Sequence, residues 1–313
     1  MPNRRQTRST ANGALVKRGA AEFAIQAVLD SLSSAHSRRA YERHLREFFA
    51  WHRDTRQREI NKAVVQHYAA ELHGNGMAPA TVNQKLSAIR KLALEASENG
   101  ALDSQIANGI KAVRGIRQGG TRAGNWLTKQ EAQRMLKAPS SGTLKGLRDR
   151  AILALLIGCG LRRAEAANLT FDHIRQRDGR WVLADLVGKR NKMRTVPMPS
   201  WAKTAINAYA LAAGLLEGRV FRPINKGGRI TGEKVTEQAI YNMVAEYAKA
   251  LGIGEIAPHD LRRTFAKLAH KGGSALDQIQ LSLGHRSIQT TERYLGVEQD
   301  LTDAPCDHLG LRL

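Results

Sequence analysis

Apolar residues recur at every third or fourth position through the first third of the chain, with polar residues between them. The segment SRRAYERHLREFFAWH carries Tyr41, Leu45 and Phe48 at this spacing, with basic residues opposite. In AAEFAIQAVLDSL, the same spacing places Phe23 on the apolar face. This period is that of an amphipathic α-helix, so we predict a bundle of about four or five helices, without strands, over residues 20–115.

The pattern changes after the segment RGIRQGGTRAGNW, whose glycines and arginines are typical of a linker. Thr128 and Glu131 then have the spacing of a capping box, which predicts the start of a new helix. Farther on, WVLADLV and MRTVPMP have the composition of strands, and the turn GKRNK joins them. Helical periodicity returns in AKTAINAYALAAGLL, EQAIYNMVAEYAKALG and DLRRTFAKLAHKGG.

The predicted fold class is therefore mainly α with a small antiparallel β-sheet. The chain is expected to consist of a basic flexible arm, a helical domain, a linker, a mixed domain and a C-terminal tail. These segments are residues 1–19, 20–115, 116–125, 126–297 and 298–313.

Basic residues outnumber acidic ones along the whole chain. Its 313 residues include 49 Lys and Arg against 28 Asp and Glu, a net charge of +21. Residues 1–120 hold 19 basic and 10 acidic side chains, and residues 121–313 hold 30 and 18. Both predicted domains are thus basic, and a field of this sign favours a polyanion as partner. This polyanion is either nucleic acid or an anionic membrane surface, and two basic domains favour a clamp around double-stranded DNA over a globule with a basic arm.

The apolar runs and the cysteines disfavour several other kinds of protein. The longest apolar run, AILALLIGCGL, is too short to span a bilayer and is flanked by charges. No signal peptide is predicted, since no apolar stretch follows the N-terminal charges. Cys159 and Cys306 have no paired spacing, which disfavours a disulfide framework and a metal site. We therefore expect a cytoplasmic protein that does not bind a membrane.

Four short segments of the second domain concentrate cations, proton-transfer groups and a hydroxyl: GCGLRRAEAANL, GKRNKMRTVP, PHDLRRTFA and LGHRSIQTTERYL. Phosphoryl transfer without a metal requires such groups. Guanidinium groups neutralise the non-bridging oxygens of a pentacoordinate phosphorane, an acid protonates the leaving oxygen, and a tyrosine oxygen can attack phosphorus. No cofactor, nucleotide or metal is therefore expected.

These segments, in this order and at these spacings, resemble the tyrosine recombinases, or phage-type integrases, including the Xer-like enzymes. The family pattern G-L-R-x-x-E-L is similar to GLRRAEA, with Ala166 where an aliphatic residue is commoner. The pattern G-K-G-x-K-x-R-x-V-P is similar to GKRNKMRTVP, with Arg190 in place of the second glycine. H-x-L-R, and L-G-H followed nine residues later by tyrosine, also have matches. The resemblance is firm over residues 126–297. It implies a SAM-like helical core-binding domain and a catalytic domain that close as a C-shaped clamp.

The resemblance implies a role for each matched residue. Tyr294 is the expected nucleophile, which forms a 3′-phosphotyrosyl link and frees a 5′ hydroxyl. Arg162 and Arg262 are expected to hold the non-bridging oxygens, and Lys189 to protonate the leaving 5′ oxygen.

The remaining matched residues have supporting roles. His259 is expected to act as general acid and base, and His285 to bond the phosphate. Glu165 follows Arg162 by three positions, where its carboxylate can orient the guanidinium. Other basic residues near the motifs are candidates for DNA-phosphate contacts: Arg163, Arg190, Lys192, Arg194, Arg263 and Arg286.

The predicted function is site-specific recombination of duplex DNA by a homotetramer, through a Holliday junction. Two alternatives stay open: a type IB topoisomerase-like nicking-closing enzyme, and a catalytically silent DNA-binding regulator. A covalent adduct with DNA distinguishes an enzyme from the regulator, and strand exchange between two sites distinguishes the recombinase from the topoisomerase. The sequence leaves open the DNA site, the biological role and any accessory DNA-bending proteins.

Overall fold

A computed structural model of the protein describes residues 18–55, 59–117, 125–188, 193–285 and 287–296, with the backbone alone for residues 18–20, 293 and 294. The chain divides into two compact units, Met1–Thr121 and Arg122–Leu313. Several predicted features lie outside the described residues: the arm up to residue 17, the linker over residues 118–124, Lys189, Arg190, Lys192, Arg286 and the tail over residues 298–313.

The described part of the first unit is helical. Its elements are α1 (Arg18–Asp30), α2 (Ala35–Asp54), α3 (Lys62–Gly74), α4 (Pro79–Glu98) and α5 (Ser104–Lys111). Helix α4 packs against the other four. Its buried residues Val82, Leu86 and Ile89 recur at the spacing of a helix face. The predicted helical bundle is therefore confirmed for these residues.

The core of the first unit confirms the predicted apolar face of α2 and corrects that of α1. Leu45 and Phe48 are fully buried, and the Phe48 ring meets the Tyr68 ring edge-on at a centroid distance of 5.2 Å. Phe23, by contrast, is 67% exposed, so its predicted placement on the buried face is wrong. The neighbouring face of α1, with Ile25 and Val28, is buried instead.

The described part of the second unit combines helices with a three-stranded sheet. The elements before and in the sheet are α6 (Lys129–Lys137), α7 (Leu144–Gly158), α8 (Arg163–Asn168), β1 (Ile174–Arg177), β2 (Arg180–Val187) and β3 (Met193–Pro197). Those after it are α9 (Ser200–Ala213), α10 (Glu237–Ala250), α11 (Pro258–Lys271), α12 (Leu276–Leu283) and α13 (Ile288–Leu295). The capping box predicted at Thr128 and Glu131 begins α6 and is confirmed.

The sheet is antiparallel in the order β1–β2–β3, with Leu183 of β2 opposite Ile174 and Val196. The pairing of β2 with β3 confirms the predicted strands. Strand β1 was not predicted, because Ile174 is the only apolar residue in its sequence IRQR. Strand β3 also lies against α12, which brings the sheet to the end of the helix that precedes His285.

Helix α7 is the centre of the second unit. It packs against α6, α8, α9 and α11, and Ala151–Ile157 are all buried. This stretch of α7, AILALLI, is apolar on all sides, as is expected in the interior of a domain. After α7, Gly160 adopts a left-handed conformation with φ of 59° and turns the chain toward α8. None of the helices within the described ranges is long and apolar enough to cross a lipid bilayer.

Candidate active site

Arg262 lies one turn into α11 and is 1% exposed. The helix begins at Pro258, and the Asp260 carboxylate accepts the Ala257 backbone N–H at 3.0 Å, which caps the helix start. Arg262 Nη1 donates to the Gly160 carbonyl at 2.5 Å, and Nη2 donates to the Leu283 carbonyl. The buried guanidinium therefore joins the turn after α7 to the end of α12.

Arg162 is the residue immediately before α8 and has an extended backbone, with φ of −73° and ψ of 150°. Its backbone N–H donates to Glu165 Oε2 at 2.9 Å, and its Nη1 donates to Glu165 Oε1 at 2.7 Å. Nη2 approaches the Leu283 carbonyl at 3.4 Å. Arg162 and Arg262 thus share one carbonyl acceptor, while the Arg162 side chain stays 34% exposed. The structure brings the two predicted phosphate-binding arginines together.

Glu165 is buried between two arginines. Arg194 of β3 donates to both carboxylate oxygens, from Nη1 and from Nη2, at 2.8 Å each. Burial alone would raise the pKa of Glu165, but the hydrogen bonds and charges of Arg194, and then those of Arg162, lower it to about 2. Glu165 is therefore ionised at neutral pH.

His285 follows Gly284, which ends α12 in a left-handed conformation with φ of 63°. The His285 backbone N–H donates to the Gln280 carbonyl at 3.1 Å, the bond of a Schellman motif. Its Nδ1 lies 3.0 Å from Thr291 Oγ1. Burial lowers the pKa of His285 to about 4, together with the charges of Arg262, Arg162, His259 and Arg194. The imidazole is therefore neutral at pH 7 and belongs to the same electrostatic cluster.

His259 is the second residue of α11, and its side chain is solvent-accessible. Partial desolvation lowers its pKa, and the charges of Arg263, Arg262 and Arg162 lower it further, against the opposite effect of Asp260. His259 is therefore within the field of both predicted phosphate-binding arginines. Arg263 lies beside it and pairs with Asp260 at 3.4 Å.

Tyr294 lies in α13, but its side chain is not among those that the structure describes. Leu295 is 3% exposed and belongs to an apolar cluster with Ala266, Ile279 and Leu283, which holds α13 against α11 and α12. Thr291, three positions before Tyr294, is fully buried and contacts His285. The backbone of the helix that carries Tyr294 is thus fixed beside His285.

The predicted DNA-contact residues have different surroundings. Arg163 is 45% exposed and pairs with Glu237 at 3.4 Å, whereas the Arg194 side chain is 10% exposed and faces Glu165.

The contact of Thr291 with His285 was not predicted from the sequence, although a polar residue one helical turn before the tyrosine was a usable signal. Among the residues that the structure describes, no group of three or more His, Cys, Asp or Glu side chains is placed to hold a metal ion.

Two family models match this chain. The model of the phage integrase family matches residues 125–300, and the model of the phage integrase N-terminal SAM-like domain matches residues 25–99. The chain belongs to the phage integrase family. The predicted family and the predicted combination of a SAM-like domain with an integrase domain are thereby confirmed.

Relatives of this family member are tyrosine recombinases. The tyrosine recombinase XerC of Thermodesulfovibrio yellowstonii is 28% identical over 272 residues, which cover 85% of this chain and 87% of that protein. The tyrosine recombinase XerD of Neisseria meningitidis serogroup A is 36% identical over 173 residues, 55% of this chain and 58% of that protein. These relatives confirm the predicted enzyme class.

A crystal structure of the XerH site-specific recombinase, bound to a palindromic difH substrate as a post-cleavage complex, has a similar fold. Its TM-score is 0.66 at 18% identity, covering 84% of this chain and 76% of that chain. At this identity the likeness concerns the fold.

Proposed function

We propose that this family member cuts and rejoins duplex DNA at specific sites through a 3′-phosphotyrosyl intermediate. The observation that carries the proposal is the meeting of Arg162 and Arg262 at the Leu283 carbonyl, with His285 two residues farther along the chain. Two fixed guanidinium groups and a neutral imidazole at one place suit a phosphate whose non-bridging oxygens gain negative charge.

The described residues suit particular steps of the reaction. The partly exposed Arg162 neutralises a non-bridging oxygen, while the buried Arg262 adds positive charge at the floor of the site. We assign the Thr291 hydroxyl as donor to Nδ1 of His285. This leaves the proton of the neutral ring on Nε2, where it can be donated to the phosphate.

Bond exchange is proposed to involve Tyr294 and Lys189. The Tyr294 oxygen loses its proton and attacks phosphorus, the bond from phosphorus to the 5′ oxygen breaks, and Lys189 supplies the proton to that oxygen. His259, which lies within the field of Arg262 and Arg162, accepts the proton that Tyr294 loses and returns it in the reverse step, so it acts as general base and then as general acid. The energy of the phosphodiester is retained in the phosphotyrosyl bond, so that a DNA hydroxyl can reverse the reaction.

The two units are proposed to divide the work. The first, with the SAM-like match, binds the DNA core site, and the second carries the chemistry. We further propose that the enzyme works in the cytoplasm as a homotetramer on two duplex sites.

Substitution of the nucleophile tests the chemistry. The substrate is a pool of short duplexes of randomised sequence. Each duplex carries a nick, so that the fragment beyond the cleavage position diffuses away and the cut strand cannot be rejoined. We expect the wild-type protein to form an adduct that survives denaturing detergent, and Tyr294→Phe to form none, because phenylalanine has no attacking oxygen. Gel electrophoresis measures the adduct, and sequencing of the trapped DNA gives the site.

The matched control is Tyr241→Phe, which removes the hydroxyl of an exposed tyrosine on α10 and should leave adduct formation unchanged. An adduct that persists in Tyr294→Phe would contradict the assigned nucleophile. Absence of an adduct with the wild-type protein would favour a silent DNA-binding regulator. Relaxation of supercoiled DNA without exchange between two duplexes would favour a topoisomerase.

A further inference from the structure

We propose that Arg194 is a positioning residue, which keeps Arg162 correctly oriented for the DNA phosphate by holding Glu165. This inference rests on the proposed function and assigns to Arg194 a role different from the DNA contact that its sequence position predicts. Arg194 acts on Arg162 through Glu165, so Arg194 need not touch DNA to affect the reaction.

The first observation is the saturation of the Glu165 carboxylate. Oε1 accepts from Arg162 Nη1 at 2.7 Å and from Arg194 Nη1 at 2.8 Å. Oε2 accepts from the Arg162 backbone N–H at 2.9 Å and from Arg194 Nη2 at 2.8 Å. Each oxygen therefore has two donors, and the planar fork of Arg194 fixes the plane of the carboxylate.

The second observation is that all three guanidinium nitrogens of Arg194 face the protein. Besides the two bonds to Glu165, Nε donates to the Ser282 carbonyl at 2.9 Å. The side chain also fits closely over Gly284, where an added Cβ would lie 2.9 Å from Arg194 Cδ. Because Ser282 and Gly284 flank Leu283, Arg194 also fixes the backbone that carries the carbonyl shared by Arg162 and Arg262.

The third observation concerns charge. Arg162 and Glu165 alone would form a neutral pair, which would attract a phosphate weakly. With Arg194 added, the three side chains carry a net positive charge, and Arg162 is the exposed member, at 34% against 10% for Arg194. Arg194 thus neutralises Glu165 and leaves the positive charge of the more exposed Arg162 available to a phosphate.

The test separates DNA affinity from reaction rate. Arg194→Lys keeps the charge but loses the fork, and Arg194→Gln loses both. For each variant, affinity for the DNA trapped by the wild-type enzyme is measured over a range of salt concentrations. The rate of adduct formation is then measured at saturating DNA. We expect the salt dependence to stay unchanged and the saturating rate to fall about 10- to 100-fold, because Arg162 is displaced rather than removed.

The matched control is Arg175→Gln on β1 of the same sheet, where Arg175 is 52% exposed and pairs with Asp185 at 3.4 Å. It should leave the saturating rate unchanged. If removal of Arg194 alone unfolds the protein, Glu165→Gln with Arg194→Gln removes both buried charges together and keeps hydrogen-bonding groups in their places. We expect this double variant to fold, with a rate close to that of Glu165→Gln alone, since both substitutions act on Arg162 by one route.

A direct phosphate contact would give the opposite result. The slope of log affinity against log salt would then be shallower by about 1 in Arg194→Gln, with the saturating rate unchanged. That outcome, or a wild-type rate in the double variant, overturns the positioning role and leaves the proposed function intact. Failure of the wild-type protein to form any adduct overturns the proposed function instead.

Discussion

At the residue scale, the main feature of the site is a neutral histidine among cations. Burial and the charges of Arg262, Arg162, His259 and Arg194 lower the pKa of His285 to about 4, from an ordinary value of 6.5. A DNA phosphate at this place adds negative charge and raises the pKa again. DNA binding is therefore linked to protonation of the ring.

A group whose pKa rises on binding takes up a proton at pH values between its free and bound pKa. We therefore expect DNA binding to take up more protons at pH 5.5 than at pH 7.5, and His285→Gln to lose up to about one of them. Calorimetry in buffers of different ionisation enthalpy measures the uptake. His270→Gln, at an exposed position of α11, is the control and should bind with wild-type uptake. Equal uptake by His285→Gln and the wild-type protein would contradict the linkage.

At the element scale, Gly160 decides how α7 is joined to α8. Its φ of 59° is left-handed, and its carbonyl accepts a hydrogen bond from Arg262. An added Cβ would lie 2.5 Å from Cδ1 of Phe265 on α11. The glycine thus allows the backbone, the Phe265 ring and the arginine to fit together.

Gly160→Ala should destabilise the protein by about 2–4 kcal/mol, the sum of left-handed strain and overpacking. The matched control is Gly214→Ala, since Gly214 has a φ of 63° but no atom within 4 Å of an added Cβ. It should lose only about 1–2 kcal/mol from backbone strain. Urea unfolding followed by circular dichroism measures both variants. Equal losses would show that the contact with Phe265 does not matter.

Local patterns predicted most of the elements, because helix periodicity and strand composition are properties of neighbouring residues. Phe23 was misplaced since α1 has apolar residues on more than one side, and only its packing against α2 and α4 selects the buried face. The match of the motifs to a family predicted the site residues. The surroundings of Arg194 were not predictable, because its partner Glu165 is 29 positions away and the pairing depends on how β3 packs beside α12.

At the scale of the whole molecule, the net charge of +21 is the dominant property. Binding to a polyanion releases counterions, so the affinity depends steeply on salt. For a random-sequence duplex we expect the affinity to fall at least about 1000-fold between about 50 and 200 mM KCl, as for proteins that make six or more phosphate contacts. Fluorescence anisotropy measures the decrease. A decrease of less than about tenfold would mean that few of these charges meet the DNA.

The bond between Thr291 and His285 connects the helix of the proposed nucleophile to the residue proposed to bond the phosphate. Thr291 belongs to the helix that carries Tyr294, while His285 belongs to the loop that ends α12. If α13 moves away, the imidazole loses the hydroxyl that selects its tautomer, and a ring with its proton on Nδ1 offers the phosphate a lone pair. Under the proposed function, a displacement of α13 would therefore withdraw the proposed nucleophile Tyr294 and, by the same movement, weaken the contact of His285 with the phosphate.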